Sequence, residues 1–401
     1  MKMPPHLTRD LGKPDAIPEA GIAKVAELLR EGRLCRYGEV PAGELTQTAA
    51  FEREFATYIG RDYAMAVNSC GCALYLTLKA LGVAEGDEVL MNAFTLAPVP
   101  GAVAHAGAQP VFVETAPNLT VDLESLDRMA AESSARILLL SHMRGHIADM
   151  RAVLDLCVKH DLILVEDCAH TLGARWDGQL SGTFGHVACF STQAYKHLNS
   201  GEGGIVATDD TEVAAKVIAR SGSYMFHEQN GTVPPPATLD AVKLATPNCS
   251  MRMSEVHAVL LRAQLPDLDE RCRLWTRSHD LLRDAVKGTP GLTLIERDPR
   301  EAYVGSSFQF VVTPRPPASI PNFIAACGAR GLHVKWFGLA EPKGFTSRYS
   351  TWRYVEDPQS LPATDRILDG LCDIRVPTDL DAQDCATIAA ILRDALDRTE
   401  P

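Results

Sequence analysis

Apolar and polar positions divide the chain into two kinds of segment that follow one another. Short runs rich in Val, Ile and Leu recur from Tyr63 onward, and amphipathic stretches such as residues 70–81 and 150–160 separate several of them. Strands that alternate with helices in this way are typical of βαβ units, and near-continuous apolar runs indicate a sheet covered on both faces. We therefore predict an α/β fold with a mostly parallel seven-stranded sheet and helices on both faces. The predicted strands are residues 63–67, 88–91, 110–114, 136–140, 162–167, 187–190 and 204–208.

The segments around this predicted sheet indicate additional helices. Residues 48–60 place their apolar side chains on one helical face, and Gly60 is a typical helix end. A long helical stretch covers residues 253–286 and is interrupted at Pro266. In contrast, residues 231–236 (GTVPPP) predict a surface loop.

After Pro290 the elements become shorter, which indicates a smaller α/β domain. The predicted strands there are residues 292–295, 306–312 and 332–335, and the predicted helices are residues 319–330 and 382–398. We therefore predict a large domain over residues 1–290, which includes the N-terminal helical segment, and a small C-terminal domain over residues 291–401.

Composition and charge exclude several classes of protein. The 39 basic and 51 acidic residues give a net charge of −12, which opposes the basic surface that nucleic acids require. No apolar run is long enough to span a membrane, and the N-terminus lacks the apolar core of a signal peptide, so we expect a cytoplasmic protein. The eleven cysteines are odd in number and irregularly spaced, which favours reduced thiols over a disulfide framework.

Three polar stretches follow predicted strands, where open α/β sheets bind ligands. The first is Asn68–Leu74 (NSCGCAL), which opens a helix. Its small residues let the backbone N–H groups of Cys70 and Gly71 approach an anion, and the helix dipole favours negative charge there. A tight turn without a ligand has the same pattern, so both interpretations stay open. Cys70 and Cys72 form a single Cys-x-Cys pair with poor zinc spacing, and we expect no metal.

The second stretch, Glu166-Asp167-Cys168-Ala169-His170, closes an apolar strand. Two acids at such a position are costly to desolvate unless a cation meets them. They are either a solvated strand end or helix cap, or Asp167 faces a protonated ring nitrogen and His170 reaches the same ligand.

The third stretch places Lys196 between a strand and the glycine-rich turn 201–204 (GEGG). A loop lysine is ordinarily solvated, but a lysine near a carbonyl cofactor can form a Schiff base and carry protons when burial lowers its pKa. An anion cradle, a carboxylate for a pyridinium nitrogen and a lysine are together the parts that a pyridoxal phosphate enzyme needs.

These stretches resemble the motifs of the DegT/StrS-type sugar aminotransferases, a branch of the fold-type I pyridoxal phosphate enzymes. The resemblance rests on FSTQAYKHLNSGEGG at residues 190–204, EDCAH at 166–170 and NCSMRMSE at 248–255, and it covers about residues 36–265. It implies that Lys196 is the Schiff-base lysine and general acid and base. It also implies that Asp167 pairs with the pyridine nitrogen and that His170 lies beside the phenolic oxygen of the cofactor.

The resemblance further implies a phosphate site and a homodimer. Ser191 would bind the phosphate through its hydroxyl, and Cys70 and Gly71 would bind it through backbone N–H groups. In the family each site is completed by the partner chain, and here a residue at Asn248 or, by strict spacing, at Ser250 would reach the phosphate.

The chain departs from the family pattern at several positions. Cys70-Gly71 stands where the family usually has Gly-Thr, so the threonine hydroxyl is missing, and the position of the aromatic that stacks on the ring is Leu96. Phe94 would then contact the cofactor, unless it is an ordinary core residue. The usual His-Tyr-x-Pro pattern on the substrate side is absent, and residues 333–338 (HVKWFG) stand in the C-terminal part instead.

Three cations are candidates to bind an anionic substrate: Arg144, Arg252 and Lys335. For Arg144 and Lys335 an exposed loop or strand edge is the equally simple alternative. The resemblance implies an aminotransferase that moves an amino group from glutamate or glutamine to a ketone or aldehyde of a sugar, cyclitol or related small metabolite. The alternatives are a non-sugar acceptor, a sugar dehydratase, which Lys196 disfavours because that branch carries histidine there, and a non-catalytic regulator.

Overall fold

A computed structural model describes residues 5–37, 40, 44–225, 231–313, 317–340, 348–355 and 359–398, which form sheets of seven, four and three strands. The elements up to the end of the first sheet are α1 (Glu19–Glu31), α2 (Gln47–Ile59), β1 (Tyr63–Val67), α3 (Cys70–Ala80), β2 (Glu88–Asn92), α4 (Pro98–His105), β3 (Gln109–Val113), α5 (Leu123–Glu132), β4 (Ile137–Ser141), α6 (Met150–Lys159), β5 (Ile163–Asp167), β6 (Arg175–Trp176), β7 (Gln179–Leu180), β8 (Val187–Ser191) and β9 (Gly204–Thr208). The later elements are α7 (Thr211–Ser221), α8 (Pro236–Lys243), α9 (Glu255–Gln264), α10 (Leu268–Val286), β10 (Leu292–Leu294), β11 (Glu301–Ala302), β12 (Ser307–Val312), α11 (Ile320–Gly328), β13 (Lys335–Trp336), α12 (Pro362–Gly370), β14 (Leu371–Arg375) and α13 (Ala382–Arg398).

The seven-stranded sheet has the order β1-β9-β8-β5-β4-β2-β3. Strand β9 runs antiparallel to its neighbours β1 and β8, and the other neighbouring pairs are parallel. One apolar cluster lies on each face of the sheet, which is why the strands are apolar along nearly their whole length. The predicted mostly parallel seven-stranded sheet is confirmed. The carboxyl ends of β1, β4, β5 and β8 therefore lie at one edge.

Local signals set the ends of the two helices that flank β1 in the chain. Helix α2 begins after Thr46, whose hydroxyl accepts from the backbone of Ala49, and it ends at Gly60 with a φ of +75°. Helix α3 begins directly after β1, and the Ser69 hydroxyl accepts from the N–H of Cys72 at 3.1 Å. Because the first turn of α3 follows β1 so closely, its free N–H groups lie at the carboxyl edge of the sheet.

The second sheet has the order β10-β12-β14-β13 and packs one face against α11 and α13. The long helix α10 and Leu7 also contribute to the core beneath it. A third, short sheet has the order β11-β6-β7. Strands β6 and β7 lie among the strands of the first sheet in the chain and β11 lies among those of the second, so this sheet pairs elements from both regions. The boundary near residue 290 stays a prediction, although the second sheet begins at Leu292 as expected.

Several predicted elements have different bounds. The strand expected at residues 332–335 is instead Lys335–Trp336, because Leu332 and Val334 belong to the apolar core and only two residues pair with β14. The loop at residues 231–236 ends earlier, since Pro236 starts α8, where a proline is tolerated in the first turn. The central strand of the second sheet, β14, was not predicted.

The described cysteines include all eleven of the chain, and each is a free thiol. Among the described residues, no helix is both long enough and apolar enough to cross a membrane.

Candidate active site

Asp167 ends β5 and is held rigidly at the carboxyl edge of the first sheet. Its Oδ2 accepts a hydrogen bond from the hydroxyl of Ser141 at 2.7 Å, and its Oδ1 accepts from the backbone N–H of Ala169 at 3.1 Å. Ser141 is the last residue of β4, the neighbouring strand, and it pairs directly with Asp167. The carboxylate is therefore fixed from two directions and is 4% exposed.

Glu166, the other acid of the same motif, is held by hydrogen bonds within the fold. It accepts backbone hydrogen bonds from Gly182, Phe184 and Gly185, and its Oε2 lies 3.1 Å from Nε2 of His142. Burial opposes its ionisation, but these hydrogen bonds outweigh burial and lower the pKa of Glu166. His142, Glu166 and Cys168 lie close enough to share a metal, yet Glu166 already has its partners. Of the two acids, only Asp167 is directed into the candidate site.

Lys196 and His170 meet at this edge. The Nζ of Lys196 lies 2.8 Å from Nε2 of His170. Burial and the nearby Arg144 lower the pKa of Lys196 to about 8, although Asp167 acts in the opposite direction. Burial, Lys196 and Arg144 likewise hold the pKa of His170 well below its usual range, so the imidazole is neutral and accepts from the lysine. The arrangement combines a lysine that loses its proton readily with a neutral base beside it.

The loop that carries Lys196 is fixed at both sides. His197 Nδ1 lies 2.7 Å from the carbonyl oxygen of Leu172, and the N–H of Ala194 donates to Gly201. Gly204 comes so close to the start of α3 that an added Cβ would lie 2.3 Å from the carbonyl oxygen of Ser69. This close approach explains why the turn is rich in glycine: a residue without a side chain lets the Lys196 loop pack against the first turn of α3.

The start of α3 forms a cradle suited to an anion. Because Ser69 caps the N–H of Cys72, the N–H groups of Cys70 and Gly71 are the ones left to point outward. The Cys70 Sγ lies 3.9 Å from Oδ1 of Asp167, which places the cradle beside the carboxylate. Ser191 ends β8 and pairs with Gly204 on β9. The structure therefore brings Cys70, Asp167, His170 and Lys196 together, with Gly71 and Ser191 adjacent in the fold.

Arg144 is also part of this site. It lies in a single 3-10 turn, Met143–Gly145, with a φ of +56°, and it is 6% exposed. Its Nη2 lies 3.0 Å from Oδ2 of Asp373 on β14. The alternative of an exposed loop arginine is therefore wrong.

Lys335 comes from β13 and pairs with Asp373 across the second sheet. Its Nζ lies 4.6 Å from the ring centre of Phe337, and the Arg144 guanidinium carbon lies 5.6 Å from the same centre. Burial and Arg144 lower the pKa of Lys335 to about 7. Lys335 is therefore not the exposed cation of a strand edge.

Two residues of this cluster were missed from the sequence, Asp373 and Arg375. The pKa of Arg375 is lowered by burial and by Arg144. The alternation of apolar and charged residues over 371–375 (LCDIR) is a strand signal that could have found them. Ser141, which holds Asp167, was also missed, and only the pairing of β4 with β5 reveals it.

Phe94 lies in the core and does not line the site. It is fully buried, and its ring packs edge-on to Phe337 with 5.1 Å between ring centres. A ring that stacks on a ligand must present one face to the site, so the structure favours the core alternative. Leu96 packs against the same small apolar cluster.

The segment with Asn248, Ser250 and Arg252 lies outside the pocket. Met251 accepts from the N–H of Asn68 at 3.1 Å, so the segment runs beside the start of α3. Asn248 and Ser250 are exposed, and Asn248 Oδ1 accepts from the N–H of Ser250. Arg252 donates to Gly222 and covers the ring of Tyr37, so it does not join Arg144 and Lys335.

Comparisons with known proteins agree with this geometry. A model of the DegT/DnrJ/EryC1/StrS aminotransferase family matches residues 16–393, which extends beyond residues 36–265 in both directions. The chain is 31% identical over 302 residues to the spore coat polysaccharide biosynthesis protein SpsC of Bacillus subtilis, covering 72% of this chain and 74% of SpsC. It is 33% identical over 270 residues to an L-glutamine:2-deoxy-scyllo-inosose aminotransferase of Streptomyces lividus, covering 66% of this chain and 62% of that protein.

The fold is shared with solved structures as well. The crystal structure of 3-amino-5-hydroxybenzoic acid synthase matches with a TM-score of 0.80 and 26% identity, over 96% of this chain and 98% of that one. The match includes the second sheet, where the predicted resemblance had faded.

Proposed function

The chain belongs to the DegT/DnrJ/EryC1/StrS aminotransferase family, and from that premise we propose that it is a pyridoxal phosphate enzyme acting on a small carbonyl metabolite. We propose glutamate or glutamine as the amino donor and a ketone or aldehyde of a sugar, cyclitol or related compound as the acceptor. Support for glutamine and a cyclitol comes from the relative named L-glutamine:2-deoxy-scyllo-inosose aminotransferase.

The observation that carries this proposal is the short contact between Lys196 and the neutral His170, directly beside the fixed carboxylate of Asp167. The donor set suits pyridoxal phosphate. The first turn of α3 and Ser191 offer N–H and hydroxyl donors for a phosphate, Asp167 offers a carboxylate for a protonated ring nitrogen, and Lys196 offers an amine for a carbonyl carbon. When bound, the cofactor supplies that carbonyl carbon and a ring that withdraws electrons from it.

Lys196 has two tasks in this proposal. Its lowered pKa provides the neutral amine that a nucleophile and general base must be near neutral pH. Lys196 would then take up the proton that leaves the α-carbon of the amino donor, and the hydrogen bonds that fix its loop would hold Nζ in place for that transfer. His170 accepts a hydrogen bond from Nζ and thereby orients it between steps.

Asp167 holds a proton at the ring nitrogen. Its two hydrogen bonds, from Ser141 and Ala169, leave lone pairs on each oxygen to face that nitrogen. A carboxylate in this position keeps the ring cationic, which favours electron withdrawal. Ser141 is a positioning residue because it acts through Asp167.

We also propose that two copies form a homodimer with shared sites. The segment with Asn248 and Ser250 is exposed and lies beside the start of α3, so a second chain could place these residues at the cradle of its partner. The neighbouring Leu244 is 93% exposed, which suits an apolar contact between copies.

The proposed function is tested by amino transfer from glutamate or glutamine, followed as formation of the corresponding oxo acid. Replacing Lys196 by Ala should lower the rate about 100-fold or more, since it removes general acid and base catalysis. Lys159→Ala on α6 is the matched control, because its ammonium is exposed and pairs with the exposed Asp127.

A readout independent of turnover is reduction of the loaded protein with borohydride followed by mass spectrometry. A pyridoxyl group should appear on Lys196 and should be absent from the Lys196→Ala protein. Attachment to another lysine, or full activity of Lys196→Ala, would refute the assignment. An intact Lys196 adduct without transfer from any amino donor would favour the regulator alternative.

A further inference from the structure

The second sheet directs a row of polar residues toward the site. Strand pairing sets Lys335 opposite Asp373, and Asp373 opposite Gln309 on β12. Arg375 follows Asp373 by two residues and so shares its face of the sheet. Cys372 and Ile374, the residues on either side of Asp373 in the chain, lie in the core on the other face of the sheet. Two basic side chains of this sheet therefore face Lys196, with Asp373 between them.

Arg144 enters the same space from the first sheet. It is 6% exposed, yet its Nε has no hydrogen-bond partner among the described residues. Its contact with Asp373 uses only one Nη atom. The left-handed backbone that directs it inward is unfavourable for a residue other than glycine, which indicates a requirement for this orientation.

Among the described residues, basic side chains outnumber acidic ones in this cluster: Lys196, Arg144, Lys335 and Arg375 lie with Asp167 and Asp373. Lys196, Arg144, Lys335 and Arg375 influence one another, and Asp373 is the carboxylate of the described residues that acts on both Lys335 and Arg375. Asp373 is also already held by Gln309 Nε2 at 2.7 Å. Removing several like charges from water is unfavourable unless an anion joins them. The cluster thus has the composition of an anion site that a ligand completes.

The ligand of this site differs from the phosphate of the cofactor. The proposed phosphate cradle is built from α3 and Ser191, on the first sheet. The three cations come from the turn after β4 and from β13 and β14. A group bound by them would lie between the two sheets, beside Lys196, where the substrates of the transfer must bind in turn.

We infer that Arg144, Lys335 and Arg375 form a subsite for a substrate carboxylate, so that the acceptor is an acidic carbonyl compound. This inference rests on the proposed function and narrows its acceptor. A planar guanidinium matches a carboxylate through two parallel N–H bonds, and Arg144 still has donors to offer. Donor and acceptor bind at the site in succession, so the carboxylate of the amino acid donor and that of an oxo acid acceptor would each bind to these three cations in turn.

The test uses the cofactor-loaded enzyme and two probes of similar size, 4-oxopentanoate and its neutral amide. Each probe is first measured as an acceptor after the donor step. It is then measured as a competitive inhibitor of the donor step, so that binding of a probe that accepts no amino group is also quantified. The carboxylate should bind about tenfold or more tightly than the amide, as expected for hydrogen bonds to charged groups. Equal inhibition by the two probes would overturn the inference.

Substitutions then identify the residues that cause the preference for the carboxylate over the amide. Lys335→Gln and Arg375→Gln should each remove most of the tenfold preference while leaving inhibition by the amide unchanged. Arg144→Gln alone removes the ion-pair partner at Oδ2 of the buried Asp373, so it is combined with Asp373→Asn, and the pair should act in the same way. Arg136→Gln is the control, because Arg136 is 72% exposed and its loss changes the net charge equally. A preference that persists in all variants would place the anion elsewhere.

The remaining arms separate the sources of the anion. Dihydroxyacetone phosphate is compared with dihydroxyacetone, and a larger effect of the phosphate than of the carboxylate would overturn the choice of a carboxylate. If only the donor step depends on Lys335 and Arg375, the subsite serves the amino acid and the inference about the acceptor is wrong. If no donor reacts at all, the proposed function fails, and calorimetric binding of 4-oxopentanoate still tests the subsite separately.

Discussion

At the scale of single residues, burial decides which charged side chains can do chemistry. Glu166 and Asp167 are neighbours in sequence and are both buried, but three backbone amides and His142 hold the first, whereas Ser141, Ala169 and the Cys70 thiol contact the second. A lysine surrounded by other cations loses its proton more readily than an exposed one, since repulsion and desolvation both disfavour the ammonium. Lys196 and Lys335 share this property because both lie near Arg144.

The lowered pKa of Lys196 predicts a pH dependence. In the protein freed of its cofactor, the reaction of Lys196 with an amine-specific reagent, followed by mass spectrometry, should rise with pH and reach half its maximum near pH 8, because the neutral amine is the reactive form. An ordinary lysine would titrate near pH 10.4. Arg144→Gln combined with Asp373→Asn should raise this midpoint, because Arg144 lowers the pKa of Lys196. A midpoint above pH 10 in the unaltered protein would contradict the prediction. Among the described residues, the titratable groups His170, Cys70, Asp167, Arg375, Lys335 and His197 also lie around Lys196.

At the scale of elements, close packing between β9 and α3 builds the anion cradle. Strand β9 is the antiparallel member of the first sheet, and its first residue, Gly204, lies against the backbone of Ser69 and Cys70. No flexible side chain lies between them that could move aside. The cradle therefore depends on a glycine at this position more than on any side chain in the turn.

Gly204→Ala should disrupt this contact. The added Cβ would lie within 2.6 Å of three backbone atoms of Ser69 and Cys70, and overpacking of this kind costs about 1–3 kcal/mol. We expect a lower midpoint of thermal unfolding by circular dichroism and weaker binding of pyridoxal phosphate by fluorescence titration.

Gly328→Ala in α11 is the control for this substitution. A Cβ there meets nothing within 4 Å, and alanine has the higher helix propensity, so stability should be kept or slightly raised. Equal stability and cofactor affinity of Gly204→Ala and the unaltered protein would show that β9 and α3 can separate without consequence.

The same scale shows why the second sheet was only partly predicted. Strand β14 is short, and it follows α12 without an intervening loop, so no turn signal marks its start. Its pairing with both β12 and β13 comes from the tertiary structure. Strand β13 pairs over two residues, which is too few for a periodic pattern.

At the scale of the whole molecule, the site lies where two sheets meet and where a second copy is proposed to contribute. Chains of 43.5 kDa that share sites should form dimers, and the mass in solution by light scattering should be twice that value. If the partner contributes Asn248 or Ser250, two inactive variants can complement one another.

Mixing Lys196→Ala with the double variant Asn248→Ala and Ser250→Ala tests this directly. After exchange of subunits, half of the dimers are mixed and one of their two sites is intact, so about one quarter of the activity should return. Lys196→Ala mixed with Lys159→Ala is the control for mixing itself, because half of its sites stay intact whether or not subunits exchange. Mixed dimers without recovered activity would show that each chain builds its own site.

The sequence by itself determined the first sheet and the chemistry at its edge. Apolar runs of strand length, separated by amphipathic helices, are typical of a sheet covered on both faces. The bounds of the seven strands were therefore predicted to within one or two residues. The motifs around Cys70, Asp167 and Lys196 follow these strands directly. Because parallel strands end at the same edge, their proximity followed from the pattern alone.

Only the tertiary structure decided which residues complete the site from far along the chain. Arg144 and Asp373 are separated by 229 positions; Arg144 was a candidate from the sequence, but only the meeting of the two sheets brings its Nη2 within 3.0 Å of Oδ2 of Asp373. Phe94 resembled a cofactor contact in sequence, whereas packing against Phe337 placed it in the core. Periodicity reports which face of an element is buried, but it carries no information on what that face meets. The meeting of the two sheets therefore had to be seen in three dimensions.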